Sequence, residues 1–234
     1  MLELKKLSVR RGNLEIVQKV SLHIDEGEIV SLMGTNGAGK TTLMRAISGV
    51  GHITGGTMLF DGENITKATS QHIVELGIVQ IPEGRRLFSL MSVRENLEIG
   101  AYTPKARARM KENLEYVYSL FPELEDMSQM PAGNLSGGQQ QMVAVGRGIM
   151  AEPRLLMLDE PSIGLSPMMT TRVLEAVQQI HKRGTAILIS EQNIHDVLRI
   201  ADRAYVLEQG QIRVKGSAEE ILTSDKIRQT YLGM

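Results

Sequence analysis

Apolar residues fall into short runs at both ends of the chain, and their spacing alternates between strand-like and helix-like. The opening segment predicts short strands at residues 2–9, 17–24 and 29–33, and a helix at 41–48 follows a glycine-rich stretch. Further strands are predicted at residues 77–81, 155–158, 186–190, 204–208 and 211–215, with helices at 167–182, at 193–200 and after Ser217. Because strands alternate with helices, the chain is predicted to have an α/β fold with a parallel sheet.

The middle third of the chain is predicted to be helical. Ser92, Val93, Arg94 and Glu95 form the pattern of a capping box at the start of a helix. Charged helical spacing continues over residues 104–120, and another helix is predicted at 137–150. We therefore predict a single domain, with a nucleotide-binding core formed by residues 1–86 and 152–234 and a helical subdomain formed by residues 87–151.

Composition narrows the classes of function. The chain has 234 residues with 26 basic and 27 acidic side chains, so it lacks the basic surface of a nucleic-acid binder, and we expect no nucleic-acid partner. It has no cysteine, which excludes disulfides and thiolate metal sites. No apolar run approaches the roughly 18 residues that span a bilayer, and Glu3, Lys5 and Lys6 interrupt any secretory pattern. Any work at a membrane is therefore expected to depend on another subunit.

A glycine-rich loop follows the third predicted strand. It reads Gly34, Thr35, Asn36, Gly37, Ala38, Gly39, Lys40 and Thr41, with Thr42 next. Glycines allow backbone amides to curl around a polyphosphate, and the helix N-terminus adds a positive dipole. Lys40 is suited to the outer phosphates of ATP, Thr41 to Mg²⁺ and Thr42 to a phosphate. The alternative is a glycine-rich turn that only caps a helix.

Two acids end the apolar strand at 155–158. In a parallel sheet ligands bind at the carboxyl ends of strands, where Asp159 and Glu160 would lie. Asp159 is suited to hold Mg²⁺, and Glu160 to act as the base for an attacking water. Two solvated acids at a strand end are the alternative, which the phosphate loop upstream disfavours.

A second helix start also has the features of a phosphate site. It comprises Leu135, Ser136, Gly137, Gly138 and Gln139. Ser136 and Gln139 fit an ordinary capping box, but two glycines in the first turn are costly unless a phosphate approaches the backbone closely. Either this helix end and the phosphate loop converge on one ATP, or each serves a different ATP across a dimer.

In this order the three motifs resemble those of the ATP-binding cassette family over essentially the whole chain. The resemblance implies a RecA-like P-loop NTPase core with an antiparallel β layer and an inserted helical subdomain. It implies ATP hydrolysis with Mg²⁺ in a head-to-tail dimer, in which Ser136–Gly138 of one subunit complete the ATP site of the other. It also implies that transport runs through separate membrane subunits.

Finer motifs resemble one branch of that family, the ATPases of branched-chain amino acid importers. They are residues 82–88, 160–167, 191–193 and 231–233. The resemblance implies a non-identical ATPase partner, two transmembrane permease subunits, an indirectly coupled extracytoplasmic substrate-binding protein, and a peripheral position on the cytoplasmic face of the cell membrane. Importers of urea and short-chain amides share much of this pattern and remain an alternative.

Several positions depart from the general cassette pattern. Glu83 stands where cassettes usually have a glutamine, since Gln80 lies inside a strand, and its carboxylate is predicted to ligate Mg²⁺ or to be solvated. Gln192 replaces the switch histidine and is predicted to contact the γ-phosphate, whereas His195 is expected on a helix face. Arg11 replaces an aromatic and is predicted to stack on adenine or to be solvated.

One further departure, a basic run and two rival functions also have to be considered. Ser166 occupies a place where many cassettes have aspartate, so communication between the two ATP sites is expected to differ. A basic run near residues 105–111 fits a solvated helix face or contact with a membrane surface.

Two rival functions are a soluble cassette protein that acts on ribosomes or DNA and a subunit that binds ATP without turnover. The chain has one cassette and no heptad run, and it keeps Lys40, Asp159 and Glu160, so both rivals are disfavoured.

Overall fold

Two sheets form the framework of the molecule. The computed structural model describes residues 1–192 and 194–223, apart from the side chains of 194 and 195. Within these residues the strands are β1 Leu2–Arg11, β2 Leu14–Ile24, β3 Ile29–Met33, β4 His52–Phe60, β5 Glu63–Asn64, β6 Ile78–Ile81, β7 Leu155–Asp159, β8 Ala186–Glu191, β9 Arg203–Glu208 and β10 Gln211–Ser217. In the described part, an antiparallel sheet has the order β2-β1-β4-β5 and a second sheet the order β10-β9-β3-β8-β7-β6. In the second sheet β9, β3, β8, β7 and β6 are parallel, and β10 is antiparallel at one edge.

Helices connect the strands and form a separate group in the middle of the chain. They are α1 Lys40–Ile47, α2 Ser70–Glu75, α3 Val93–Gly100, α4 Pro104–Ala108, α5 Met110–Leu120, α6 Glu123–Asp126, α7 Gly137–Ile149, α8 Pro167–Lys182, α9 Ile194–Leu198 and α10 Ala218–Thr223. The predicted capping box is present at α3, where Ser92 Oγ accepts from the Glu95 amide at 3.2 Å and Glu95 Oε2 accepts from the Ser92 amide at 2.7 Å. Helices α3 to α7 lie within residues 87–151, but the exact domain boundaries stay a prediction.

The parallel sheet separates two apolar cores because its strands are buried on both faces. Alternate residues of β7 enter different cores: Leu156 and Leu158 pack with the helical side, whereas Leu155 and Met157 pack with α1 and the antiparallel sheet. This arrangement holds the strands rigidly, so the side chains that follow their carboxyl ends have fixed positions.

Two predictions from the hydrophobic pattern were incomplete. Strand β4 was not predicted, because Gly55 and Gly56 break its alternation; the pairing of β4 with β1 creates it nevertheless. The single helix predicted at 104–120 is wrong, since it divides at Arg109, where φ is −111°. Arg109 is held there by ion pairs of 2.5 Å to Glu112 and 2.9 Å to Glu152.

The basic run at residues 105–111 is largely paired with carboxylates. Lys105 and Arg109 both pair with Glu152, and Lys111 lies 4.0 Å from Glu115. These ion pairs agree with the prediction that the run lies on a solvated helix face. Contact of the run with a membrane surface stays a prediction. In the described part of the chain, no helix combines the length and the apolar character that crossing a membrane requires. Asn193, the side chain of His195 and the motif at 231–233 lie outside the described residues.

Candidate functional site

Three neighbouring strands bring the predicted site residues to one edge of the parallel sheet. Strands β3, β8 and β7 are adjacent, and their register pairs Met33 with Glu191 and Asp159 with Ser190. The glycine-rich loop leaves β3 at the same edge at which Asp159 and Glu160 end β7. The sheet thus gathers residues that are more than a hundred positions apart in the chain, as the parallel arrangement requires.

The glycine-rich loop needs glycine because its backbone is both left-handed and closely packed. Gly34 has φ 155°, and a Cβ there would lie 2.3 Å from the carbonyl oxygen of Leu207. Gly39 has φ 109°, and a Cβ there would lie 3.3 Å from the carbonyl oxygen of Ile16. Any side chain at Gly34 would therefore displace β9, and the loop can keep its shape only with glycine. Helix α1 starts at Lys40 immediately after this turn, so its free amides face the loop.

Lys40 is buried and points back across the loop. Its Nζ donates to the carbonyl oxygen of Gly34 at 2.7 Å and forms an ion pair of 3.0 Å with Glu160 Oε1. The two side chains are only 4% and 8% exposed. The structure therefore joins the predicted phosphate-binding lysine and the predicted catalytic base at one point. Glu160 has a left-handed backbone with φ 49°, which directs its carboxylate back towards the loop instead of along the strand.

Asp159 is a buried carboxylate whose two oxygens differ in their hydrogen bonds. Its Oδ1 accepts hydrogen bonds from Ser190 Oγ at 2.7 Å and Thr41 Oγ1 at 3.2 Å, whereas its Oδ2 is buried with no hydrogen-bond partner. Burial raises the pKa of Asp159 above its usual range, although the bonds from Ser190 and Thr41 oppose this effect. A divalent cation at Oδ2 would remove the cost of that buried carboxylate.

The residues present fit Mg²⁺ only together with phosphate and water oxygens. Thr41 and Asp159 offer two oxygens, and among the residues that the structure describes no group of three or more His, Cys, Asp and Glu side chains could hold a metal ion. Mg²⁺ prefers one or two protein oxygens combined with substrate phosphates, which is the set found here.

Glu83 lies near this pair of ligands but contacts neither. With Gln80, Arg86, Thr41 and Asp159 it lines a cavity of about 660 Å³. Gln80, set aside in the sequence as a strand residue, also faces this cavity; its Oε1 accepts from Ser48 Oγ at 2.6 Å and its Nε2 is buried without a partner. Glu83 is exposed, so both predicted readings of Glu83, Mg²⁺ ligand and solvated acid, remain proposals.

Gln192 lies over the Lys40–Glu160 pair. Its Nε2 donates to Glu160 Oε2 at 2.9 Å and also to Asn36 Oδ1 in the phosphate loop. The amide therefore connects the loop to the candidate base, at the point where the γ-phosphate of a bound nucleotide is expected. This position agrees with the predicted role, which the contacts alone do not test.

Replacing Gln192 by histidine should speed hydrolysis in a pH-dependent way. An imidazolium would bond a phosphate oxygen more strongly than a neutral amide, and we expect a gain of roughly fivefold in kcat at pH 6. The gain should disappear as the imidazole loses its proton above a pH of about 6.5. The measurement is steady-state ATP hydrolysis by Gln192→His from pH 5.5 to 8.5, with Gln192→Ala as the control that removes the contact. A flat ratio to the original protein across that range would show that the position does not limit the rate.

Arg11 lies at the tip of the β1–β2 hairpin, where it pairs with Leu14. Both side chains are exposed. The same hairpin contacts the phosphate loop further along, at Ile16. This contact places the hairpin beside the phosphate loop, and both predictions for Arg11, stacking on adenine and a solvated side chain, remain proposals.

Replacing Arg11 by alanine should weaken ATP binding more than binding of inorganic triphosphate. Loss of stacking on the base is expected to cost about 1 kcal/mol, or roughly fivefold in Kd, for ATP alone. Titration calorimetry with both ligands measures the difference. Arg10→Ala is the matched control, because successive strand side chains point to opposite faces. Equal losses for the two ligands would reject base stacking.

The second predicted phosphate site is at the start of α7. The capping box is present: Ser136 Oγ accepts from the Gln139 amide at 3.3 Å, and Gln139 Oε1 accepts from the Ser136 amide at 2.9 Å. Gly138 packs so closely that a Cβ there would lie 2.5 Å from the terminal carbon of Met169. Within the described residues no hydrogen bond or ion pair joins residues 135–139 to residues 34–42, and a site shared across a dimer remains a prediction.

Two buried residues at the end of β8 received no predicted role from the sequence, although Glu191 is part of the motif at 191–193. Ser190 is fully buried, and besides bonding Asp159 it accepts from the Glu160 amide at 3.2 Å. Glu191 accepts from the Ser162 amide at 2.9 Å, and burial raises its pKa above the usual range. Both follow the apolar residues 186–189 within β8. Polar residues at the carboxyl end of a central strand are the sequence signal from which a role for them could have been predicted.

Comparison with known proteins bears on these features. Residues 17–163 match the ABC transporter family. The high-affinity branched-chain amino acid transport ATP-binding protein BraG of Pseudomonas aeruginosa is 40% identical over 234 residues, covering 100% of both chains. The probable branched-chain amino acid transport ATP-binding protein LivF of Archaeoglobus fulgidus is 32% identical over 235 residues, covering 100% of this chain and 99% of the relative.

A solved structure shows the same fold. The crystal structure of a nucleotide-free ATP-binding cassette from an ABC transporter aligns with a TM-score of 0.87 at 26% identity, covering 100% of this chain and 99% of that one. Together with the two sheets and the helical group described above, this confirms the predicted α/β fold with a P-loop core, an antiparallel β layer and an inserted helical region.

Proposed function

The chain belongs to the ABC transporter family, and from this premise we propose that it is the ATP-binding and ATP-hydrolysing subunit of an importer for branched-chain amino acids. The chain binds nucleotide, and hydrolysis is coupled to transport through other subunits. The observation that carries the ATPase assignment is the convergence of Lys40, Asp159 and Glu160 beside the glycine-rich loop. The substrate class rests on the full-length similarity to BraG and LivF, whose names specify branched-chain amino acid transport.

The phosphate loop and Lys40 would bind the triphosphate. The amides of Gly37, Gly39 and the first turn of α1 face the phosphates, and Lys40 Nζ supplies a positive charge to the outer oxygens. Because Lys40 is already paired with Glu160 at 3.0 Å, the γ-phosphate shares this cation with the carboxylate.

Thr41 and Asp159 would hold Mg²⁺, with Glu83 as a further candidate ligand from the edge of the cavity. Mg²⁺ bound there would supply positive charge that offsets the negative charge of the transferred phosphoryl group. The chain's part is to present Thr41 Oγ1 and Asp159 Oδ2 at a fixed spacing, which Ser190 maintains through its 2.7 Å bond to Asp159. Ser190 therefore positions the ligand without touching the metal.

Glu160 would remove a proton from the attacking water. Its Oε2 accepts from Gln192 Nε2 at 2.9 Å, and its amide bonds to Ser190, so both ends of the residue are held. A base held in this way is positioned towards the γ-phosphate before the water arrives, which lowers the entropic cost of the step.

The ATP site is proposed to be complete only in a dimer. Leu135, Ser136, Gly137, Gly138 and Gln139 would contact the ATP that is held by a second ATPase subunit, arranged head to tail and expected to be a non-identical paralogue. What supports this is that, among the described residues, no hydrogen bond or ion pair joins the start of α7 to the phosphate loop of the same subunit. The helical subdomain, residues 87–151, would carry the start of α7, and residues 83–88 beside the cavity would seat a permease subunit.

The proposed partners place the chain on the cytoplasmic face of the cell membrane. Two transmembrane permeases and an extracytoplasmic binding protein would complete the importer, and this chain would attach peripherally through the permeases. Exposed apolar side chains near the seat support such an attachment, since Phe88, Leu90 and Tyr102 are 51%, 94% and 53% exposed.

The proposal is tested by reconstitution with the membrane subunits and the binding protein in liposomes. We expect MgATP hydrolysis to be stimulated by the assembled partners and to drive uptake of labelled leucine, isoleucine and valine. Glu160→Gln in the same liposomes is the control for coupling. Uptake of urea or short-chain amides instead of these amino acids would favour the alternative substrates. An ATP hydrolysis rate that is the same with and without the membrane subunits would overturn the transporter role.

A further inference from the structure

Arg85 places a cation directly over the first turn of α7. A Cβ built on Gly137 would lie 3.1 Å from Arg85 Nη2 and 3.3 Å from Nη1. The same Nη2 lies 3.9 Å from the corresponding position at Gly164, in the segment that follows Glu160. The guanidinium therefore occupies the space between the start of α7 and the loop after β7, and the absence of a side chain at Gly137 makes room for it.

The Arg85 side chain is a cation that lacks an acidic partner among the described residues. Arg85 is half-buried, and among the described residues no carboxylate lies within 4.0 Å of it. Its hydrogen bond is to the neutral Gln140 Oε1, at a long 3.4 Å. A helix N-terminus carries a partial positive charge and favours anions, so a guanidinium beside it is unfavourable unless an anion binds between them.

The backbone that holds Arg85 is also strained. Gly84, Arg85 and Arg86 all have left-handed φ angles, of 78°, 62° and 48°. Two successive arginines in this region are disfavoured sterically, and such strain persists where surrounding contacts enforce it. The carbonyl oxygen of Arg85 accepts from Arg147 Nη2 at 3.0 Å, so a half-buried side chain of α7 holds the turn.

We propose that two copies of this chain form the same head-to-tail site when the paralogue is absent, and that Arg85 acts there in trans as a phosphate-binding residue. Its guanidinium, beside Ser136 and Gly138 of its own subunit, binds the γ-phosphate of the ATP held by the other copy. The proposal rests on the shared site proposed above and adds a charged residue to it. The planar guanidinium can bond two phosphate oxygens at once, which the neutral groups of the α7 turn cannot do.

The position of Arg86 gives the turn a second consequence. Arg86 lines the cavity with Thr41 and Asp159 of its own subunit, whereas Arg85 faces the site shared with the partner. One strained turn thus reaches both nucleotides, and a shift of residues 83–86 moves a cation at each of them.

The test uses the full chain in a Glu160→Gln background, in which bound ATP is not consumed. Self-association with MgATP is followed by sedimentation, and MgATP affinity is measured at protein concentrations too low for association. Arg85→Ala is expected to weaken the ATP-driven dimer about 10- to 100-fold and to leave the affinity of the monomer unchanged. Arg85→Lys should recover part of the loss, because it keeps the charge but not the two parallel donors. Arg213→Ala, which removes an exposed arginine on β10, is the matched control and should not change association.

A mixing experiment separates action of Arg85 on the partner's ATP from action on the ATP of its own subunit. Subunits with Lys40→Met and subunits with Arg85→Ala are each expected to dimerise poorly. When they are mixed, one of the two shared sites contains an intact Lys40 and an intact Arg85, so ATP-driven association should recover. If Arg85 instead contacted the ATP of its own subunit, both sites would stay defective and no recovery would follow, which overturns the proposal.

The outcomes also distinguish this proposal from the proposed function. Equal dimerisation by Arg85→Ala and its parent would overturn the role of Arg85 and leave the ATPase assignment in place. A parent protein that binds MgATP but does not dimerise with it would overturn the shared site between copies, on which the role of Arg85 depends. A parent protein that does not bind MgATP would overturn the ATPase assignment itself.

Discussion

Glu160→Gln should retain MgATP binding and lose nearly all hydrolysis. The substitution keeps the size of the side chain and leaves one oxygen to accept from Gln192, but it removes the carboxylate that would take a proton from water. Loss of a general base lowers rates by about 10²- to 10⁴-fold. The measurements are phosphate release at saturating ATP and MgATP affinity by calorimetry, which separate turnover from binding.

The same variant changes the charge around Lys40. Lys40 and Glu160 form a buried pair, 4% and 8% exposed, so the amide frees the full charge of Lys40 for phosphate. MgATP affinity should therefore equal or exceed that of the original protein. Glu175→Gln, an exposed change of the same type on α8, is the control for loss of one negative charge. Turnover of Glu160→Gln at the original rate would remove Glu160 as the base.

Lys40→Met should abolish high-affinity nucleotide binding. Methionine preserves the apolar stem and removes the ammonium group, which is expected to cost about 1.5–3 kcal/mol of binding free energy, or roughly 10- to 100-fold in Kd. Titration with MgATP and MgADP measures the loss, and it should be larger for ATP because Lys40 contacts the outer phosphates. Lys67→Met, at an exposed loop position, is the matched control.

The structure adds a stability effect to this variant. Removing Lys40 leaves Glu160 buried without a cation, and breaking one partner of a buried pair typically destabilises a fold by about 3–5 kcal/mol. The double variant Lys40→Met with Glu160→Gln should regain most of this stability in thermal unfolding but should still bind MgATP poorly. Recovery of binding in the double variant would contradict a direct contact between Lys40 and phosphate.

The order of motifs along the chain carried most of the functional prediction. Each motif can be recognised from residues that are adjacent in the sequence. This holds for the glycine loop between a strand and a helix, for the apolar strand that ends in two acids, and for the serine that precedes two glycines. Local patterns of this kind are readable because backbone conformation and helix capping depend on residues within a few positions. The same local reading failed at residues 104–120, where the helix is interrupted at Arg109, a residue that pairs with Glu152 far along the chain.

By itself, the sequence determined the fold class, the three motifs and the residues suited to phosphate, metal and water. The tertiary structure alone decided how these residues are connected. It brought Lys40 and Glu160 into an ion pair and Ser190 into a hydrogen bond with Asp159. It also joined Gln192 to Asn36 by a hydrogen bond and brought Arg85 next to the start of α7. The physical reason is that distant strands and turns meet only when the parallel sheet and the helical group pack. Pairings across such distances depend on register and burial, which leave no mark in the local spacing of residues.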